Sequence, residues 1–293
     1  MSTLQFFPGF EPLRVDTGEV VINGVKGGSG PPLLLLQGWP QTHLEWHRLA
    51  PLLAPHFTVI ATDLRGYGDS GKPADGGNHE GHSKRAMARD QMAVMRSLGY
   101  ERFAVVGHDR GGRVAHRMAL DHPQAVAKLA VLDIVPTLTL YSNVSKAFGL
   151  AYFHWFLLPQ PAPIPETLLG NNIEFFLRST IFRGLLPEAI SEDVFAQYLR
   201  CCSDPATLHA MCEDYRAAAT IDLEHDEADL DRRIECPLLV LWGARGAMHA
   251  LYDVLATWRE RGTRVSGKSL PCGHWMPEQC PQEIHAELMD FLT

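Results

Sequence analysis

Short apolar runs recur along the chain with longer amphipathic stretches between them. Positions 20–25, 33–37, 58–63, 103–107, 129–133, 238–242 and 265–270 have the length and composition of strands. Most are apolar throughout rather than alternating, the pattern of a sheet buried on both faces. Positions 44–53, 83–98, 110–122, 252–261 and 282–292 read as helices. Strands alternating with helices predict an α/β fold whose mostly parallel central sheet is flanked by helices. Its active groups are then expected at the carboxyl ends of the strands. Between Thr137 and Arg233 the alternation stops, giving way to aromatic helical segments and a proline-rich loop at 159–165. The expectation is a helical cap, 137–233, inserted into a core built from 1–136 and 234–293. The glycines of 24–30 and 76–81 are expected to mark surface turns.

Composition narrows the class. The 293 residues suit one large domain with an insertion, and 46% hydrophobic with 20% charged residues is ordinary for a globular protein. A formal net charge of −8 argues against a nucleic-acid partner, which calls for a basic footprint. It also means that an anionic substrate must be attracted by a few local arginines. The six cysteines, Cys201, Cys202, Cys212, Cys236, Cys272 and Cys280, form no CxxC pair and no zinc-ligand spacing. The first eleven residues lack a signal-peptide layout, and the longest apolar run, 31–36, is far too short to cross a bilayer. A reduced, cytoplasmic setting away from membranes is the expectation.

Candidate chemistry begins at Gly107-His108-Asp109-Arg110-Gly111-Gly112. This is the G-x-nucleophile-x-G form that ends a strand and opens a helix, with small residues where the turn is sharp. The turn lifts Asp109 clear of the sheet beside free backbone N–H groups. Serine is the usual occupant. Aspartate changes the chemistry, because a carboxylate attacks an alkyl carbon and leaves an ester on the enzyme. An Asp that merely caps a helix is common, but here a strand precedes it, a helix follows, and matching partners stand downstream.

The partner base is His274, one of 14 histidines, in Gly273-His274-Trp275 after the last strand. In many proteins of this architecture an acid follows the strand at 238–242, but this chain runs Gly243-Ala244-Arg245-Gly246-Ala247 there. Asp133, at the end of the strand after the elbow helix, is therefore assigned to orient His274. Asp253 is the second choice and reads better as a helix N-terminal residue.

Arg110 and Arg113 lie three apart at the start of the elbow helix, where the dipole disfavours cations. Two forked guanidiniums beside a nucleophilic carboxylate make sense if the substrate carries its own carboxylate. A salt bridge from Arg110 to a cap acid is the competing explanation. In the cap, His154, Trp155 and Tyr215 can each donate one hydrogen bond to a small anion. Aromatic residues at such spacing also serve as core packing, and spacing alone does not separate the two.

The run from Gly107 to Arg117 closely resembles the fluoroacetate (haloacetate) dehalogenases of the α/β-hydrolase superfamily. So do Gly38-Trp39-Pro40-Gln41, Asp63-Leu64-Arg65-Gly66-Tyr67-Gly68-Asp69-Ser70, Phe153-His154-Trp155-Phe156, Asp214-Tyr215-Arg216-Ala217 and Gly273-His274-Trp275. The resemblance implies a two-step hydrolysis. Asp109 displaces halide from a haloacetate held by Arg110 and Arg113, while His154, Trp155 and Tyr215 receive the halide. Water activated by His274, oriented by Asp133, then cleaves the ester, with the backbone N–H groups of Trp39 and Arg110 holding the oxyanion. It also implies a homodimer that needs no cofactor and no metal. Gln37 stands where the family often has histidine, and Trp39 replaces the usual phenylalanine, which bears on pocket size.

Three other readings compete. An epoxide hydrolase shares the Asp nucleophile but uses two cap tyrosines, and His154-Trp155 fills the region expected for the first. A haloalkane dehalogenase has no use for Arg110 and Arg113. A non-catalytic carboxylate receptor does not need Asp109, Asp133 and His274 together.

Overall fold

The computed structural model describes residues 3–293. Eight strands form one sheet: β1 (Phe10–Asp16), β2 (Val21–Gly27), β3 (Pro32–Leu36), β4 (Thr58–Thr62), β5 (Phe103–His108), β6 (Val126–Leu132), β7 (Leu238–Gly243) and β8 (Val265–Leu270). Their order is β1-β2-β4-β3-β5-β6-β7-β8. β2 pairs antiparallel with both neighbours, and every pairing from β4 to β8 is parallel. The central strands are buried along their whole length, as in the Leu33–Leu36 and Val59–Ala61 stretches, because helices cover both faces. The chain belongs among the α/β folds with a mostly parallel sheet.

β1 is the one strand without a counterpart in the sequence reading. It lies at the sheet edge, carries Pro12 and buries only Leu13 fully. Proline is tolerated there because an edge strand leaves half its N–H groups unpaired. The helix expected over 44–53 divides into a short 3₁₀ turn, His43–Trp46, and one helical turn, Ala50–Leu53. Pro51 has no N–H to donate back into a preceding turn. Gly24 is likewise not a surface turn. It sits within β2 opposite Thr62, where a Cβ would come within 2.3 Å of the Ala61 carbonyl oxygen. The actual turn is made by Gly28 and Gly30, at φ 79° and 129°.

Between β6 and β7 the described residues form helices and no strand, from Thr137–Ser142 to Ile221–Ala228. The longest is Pro205–Ala219, capped by Asp204, whose side chain accepts from the Ala206 N–H, with proline at N1. Its buried face carries Asp214 and Tyr215 onto the carboxyl edge of the sheet. Among the described residues no helix is long and apolar enough to cross a membrane. The six cysteines are free thiols.

Candidate active site

β5 ends at His108 and the helix Asp109–Asp121 begins at once. Asp109 takes φ 44°, a left-handed conformation that a non-glycine residue holds only against strain. The crowding around it explains the glycines. A Cβ at Gly107 would lie 2.4 Å from the Gly111 carbonyl oxygen, and one at Gly111 would lie 2.1 Å from that of Leu36. Gly38 lets the loop after β3 pass over the elbow, since a Cβ there would meet that of Asp109 at 2.7 Å. The approach brings the Trp39 N–H within 3.1 Å of Asp109 Oδ1, to which it donates. Burial pushes the Asp109 carboxyl up, but His274, Arg110, Arg113 and His108 outweigh it and hold the group below the usual range. Asp109 is therefore a carboxylate at neutral pH.

His274 follows β8. Its Nδ1 lies 2.6 Å from Asp133 Oδ2, and its Nε2 lies 3.9 Å from Asp109 Oδ2. The second distance is too long for a direct hydrogen bond and short enough for both groups to contact one water or ester. Asp133 comes directly after β6 with φ 49°, and its Oδ1 accepts the Gly243 N–H at 2.9 Å. A Cβ at Gly246 would sit 3.4 Å from that same oxygen. The missing side chain after β7 and the carboxylate after β6 thus occupy adjoining space. Asp253 instead caps the helix Val254–Arg259, accepting from the Ala256 N–H at 3.0 Å.

Beneath these residues lies a buried polar layer that no local sequence pattern marks. His108 donates from Nε2 to the His274 carbonyl oxygen at 2.8 Å. Its Nδ1 is 3.0 Å from Glu45 Oε1, an ion pair outside good hydrogen-bond alignment. Glu45 Oε2 accepts the Gly38 N–H at 2.9 Å. One acid and one imidazole therefore tie together the Trp39 loop, the elbow and the His274 loop. Burial alone would lower the His108 pKa, but Glu45 chiefly raises it to about 9. Behind Glu45, Glu278 accepts from Tyr198 Oη at 2.8 Å and Gln41 Nε2 at 2.7 Å, and burial pushes its carboxyl up to about 8.

The two arginines differ. Arg110 is fully buried and forks onto Asp214 of the helix Pro205–Ala219, with Nε to Oδ2 at 2.8 Å and Nη2 to Oδ1 at 2.7 Å. Lys84 and the Tyr67 hydroxyl also bind that carboxylate. Among the described residues Arg113 has no carboxylate partner: its Nη1 donates to the Val135 carbonyl and Thr137 Oγ1, each at 3.0 Å. Its guanidinium faces the Trp155 ring, 4.7 Å from the centroid, as that of Arg110 faces Tyr215 at 4.2 Å. Four buried N–H donors in this layer have no acceptor among the described residues: Arg110 Nη1, Arg113 Nε, Trp155 Nε1 and Trp39 Nε1.

A cavity of about 280 Å³ opens over Asp109 and His274, walled by Trp39, Tyr152, His154 and Tyr215 among others. Arg110, Arg113 and Trp155 are absent from that wall: Arg110 and Trp155 pack against Tyr215, and Arg113 packs behind them on Trp155. His154 stacks on Trp39 at 4.9 Å between centroids, and burial drops its pKa to about 3, so it is a neutral hydrogen-bond donor. Tyr152 was missed in the sequence. It stands two residues before His154, faces both His154 and His274, and makes a second cavity tyrosine beside Tyr215. The expectation that His154-Trp155 displaces a first tyrosine therefore fails, because the short helical turns here let position 152 reach the cavity as well.

A family model described as the alpha/beta hydrolase fold matches residues 31–279. The chain is 47% identical to a fluoroacetate dehalogenase from Burkholderia sp, over 98% of this chain and 95% of the relative. It is 35% identical to a soluble epoxide hydrolase from Corynebacterium sp. (strain C12), over 94% of this chain and 96% of that one. The crystal structure of a protein from Nostoc sp PCC 7120, named for the same hydrolase fold, superimposes with TM-score 0.95 at 57% identity, covering 98% of this chain and 99% of its own.

Proposed function

The chain belongs to the α/β-hydrolase family and is a hydrolase; from that footing we propose that it converts 2-haloacetates, fluoroacetate or chloroacetate, to glycolate and halide. Residues 137–233 serve as the cap over the site, and the reaction needs no cofactor. Asp109 Oδ1 is held by the Trp39 N–H, which leaves Oδ2 to attack the α-carbon. The carbon–halogen bond breaks as the ester bond forms, and the halide departs toward the donors of His154, Trp155 and Tyr215. His274 then takes a proton from water, and the resulting hydroxide adds to the Asp109 carbonyl carbon. The oxyanion accepts from the N–H groups of Trp39 and Arg110, and collapse releases glycolate. Asp133 fixes the tautomer of His274 and stabilises its protonated form.

The observation that carries this reading is the set of orphaned donors. Each buried N–H without an acceptor costs about 1–3 kcal/mol, and Arg110 Nη1, Arg113 Nε and Trp155 Nε1 cluster in one aromatic layer beside Asp109. An anion with a carboxylate at one end and a halogen at the other supplies acceptors for them. It reaches them by displacing the Tyr215 ring, which lines the cavity and covers Arg110. The 47% identity with a fluoroacetate dehalogenase supports the same reading. Exposed Leu168 and Phe175 on the helical insertion support a homodimer as the assembly.

One observation favours a second reading. Tyr152 and Tyr215 both line the cavity, and paired tyrosines can protonate an epoxide oxygen while Asp109 attacks carbon. The discriminating experiment offers fluoroacetate, chloroacetate and styrene oxide in parallel. Halide and glycolate are expected from the acids. Diol without halide overturns the haloacetate reading in favour of the epoxide one, and no product at all overturns both. In a single turnover in heavy-oxygen water, label should enter the Asp109 carboxylate. Label found directly in glycolate means that water, not Asp109, attacks the substrate.

A further inference from the structure

Away from the cavity, Asp75 and the short segment Gly77–His82 pack against the cap helix Pro205–Ala219. Histidines and carboxylates converge at this junction. His209 Nε2 lies 3.1 Å from Asp75 Oδ2, and its Nδ1 lies 2.9 Å from Glu166 Oε1. His79 Nδ1 is 2.7 Å from Glu213 Oε2. Asp75, His209 and Glu213 each present a ligand atom, all within 4.8 Å of one another. His209 and Glu213 are four apart on their helix and so share one face.

A second, independent feature points into the same cluster. His82 is 1% exposed, yet neither of its ring nitrogens has a hydrogen-bond partner among the described residues. Its Nε2 faces Asp75 Oδ1 at 3.6 Å. Burial lowers its pKa, against the pull of Asp214, Glu213 and Asp75, so the ring is neutral with a lone pair available. A buried imidazole left without a partner beside a carboxylate is costly unless something else engages it.

The junction is rich in carboxylates. Arg216 pairs with Glu166 and Glu213, and nearby Arg65 is already paired with Asp90 and Glu19. Burial lowers the His209 pKa, but Glu166 and Asp75 outweigh it and raise it, so a metal ion takes the place of a proton held there. The distances also suit a small ion. Asp75 faces both imidazoles, Oδ2 toward His209 at 3.1 Å and Oδ1 toward His82 at 3.6 Å. Ligand atoms of Asp75, His209 and Glu213 within 4.8 Å of one another need only draw together to the roughly 3.4 Å spacing around a tetrahedral zinc. Asp75 and His209 are partly exposed, which gives an ion a way in.

We propose that Asp75, His82, His209 and Glu213 form a binding site for one divalent transition-metal ion of the zinc class. Asp75 and His82 come from the core and His209 and Glu213 from the helical insertion, so the ion clamps one to the other. Binding releases whatever proton His209 shares with Asp75, and imidazole ligands select zinc-like ions over magnesium. The site is independent of the reaction proposed above.

The test is calorimetric titration of the chelator-treated, full-length protein with Zn²⁺, with Mg²⁺ as comparator and melting temperature read alongside. One equivalent of Zn²⁺ per chain and a raised melting temperature are expected, with no matching response to Mg²⁺. His209→Gln and His82→Asn should each weaken Zn²⁺ binding about 10-fold or more, while His56→Gln, at an exposed position before β4, should leave it unchanged. His209 is partly exposed, so its variant keeps the test valid should His82→Asn fail to fold. Absence of one-equivalent binding, or equal binding by the wild type and the His209 variant, overturns the site.

Discussion

The two walls of the cavity are built by different means. On the core side, Asp109, Asp133 and His274 stand at the ends of β5, β6 and β8, within a sheet whose central strands are buried. Both acids sit in left-handed backbone and accept backbone N–H groups, from Trp39 and Gly243. On the side of the proposed cap, Tyr152, His154 and Tyr215 are placed by ring against ring, with Trp155 packed behind Tyr215, and by one ionic anchor, Asp214. The first wall is positioned by covalent turns and sheet register. The second is positioned by docking between elements distant in the chain. A change of charge on the core side should therefore alter rate while sparing the fold, and a change on the cap side should do the reverse.

The sharpest way to break that contrast is Asp133→Asn. Asparagine tolerates left-handed backbone, so the change removes the charge and leaves the turn. With His274 no longer oriented, ester hydrolysis should slow by about 10³-fold, and one equivalent of halide should appear as a burst before a slow steady rate. Adding Gly246→Asp should restore part of the rate. Gly246 has φ −87°, open to any residue, and its Cβ position is 3.4 Å from the Asp133 carboxylate. A steady rate within a few-fold of wild type in the single variant means that Asp133 does not serve His274.

The same division explains what the sequence reveals. Strands at the sheet centre are legible as short apolar runs because helices bury both faces, whereas β1 at the edge carries Pro12 and little apolar surface. Asp109 is legible because the elbow's constraints are local, with Gly107 and Gly111 each within two residues of it. Asp133 is legible by elimination, since no carboxylate follows β7 until Asp253. The partners of the cap wall are not legible. Asp214 meets Arg110 across 104 positions and Lys84 across 130. No local pattern marks an acid for such a contact. Glu45 reads as one polar residue in a short amphipathic turn, and only the fold sets its side chain against His108.

On the cap side the corresponding test is Asp214→Ala. It leaves Arg110 and Lys84 as buried cations without their shared carboxylate, a loss of about 3–5 kcal/mol. Urea unfolding should show a lower midpoint, and substrate binding should weaken more than the maximal rate as Arg110 loses its fixed position. Stability unchanged within about 0.5 kcal/mol would remove the anchor from the account of the cap wall.

The smallest effect tests the layer joining the core loops. His108 is raised from 6.5 to about 9 chiefly through Glu45 working against burial. Between those values the folded chain holds a proton that the unfolded chain has released. Its contribution is full below pH 6.5 and is lost as pH rises through about 9. Glu278 acts in the same sense: burial raises it from 4.5 to about 8, so stability falls as pH climbs through that window. The melting temperature should therefore drop between pH 6.5 and 9, by on the order of 5 °C. Glu45→Gln removes the charge that chiefly raises His108 and that adds to the effect of burial on Glu278, and the drop should shrink by half or more. A wild-type curve flat across this window would mean that His108 is neutral in the folded protein. The three loops would then be joined by neutral hydrogen bonds, and the core wall would owe its placement to the sheet alone.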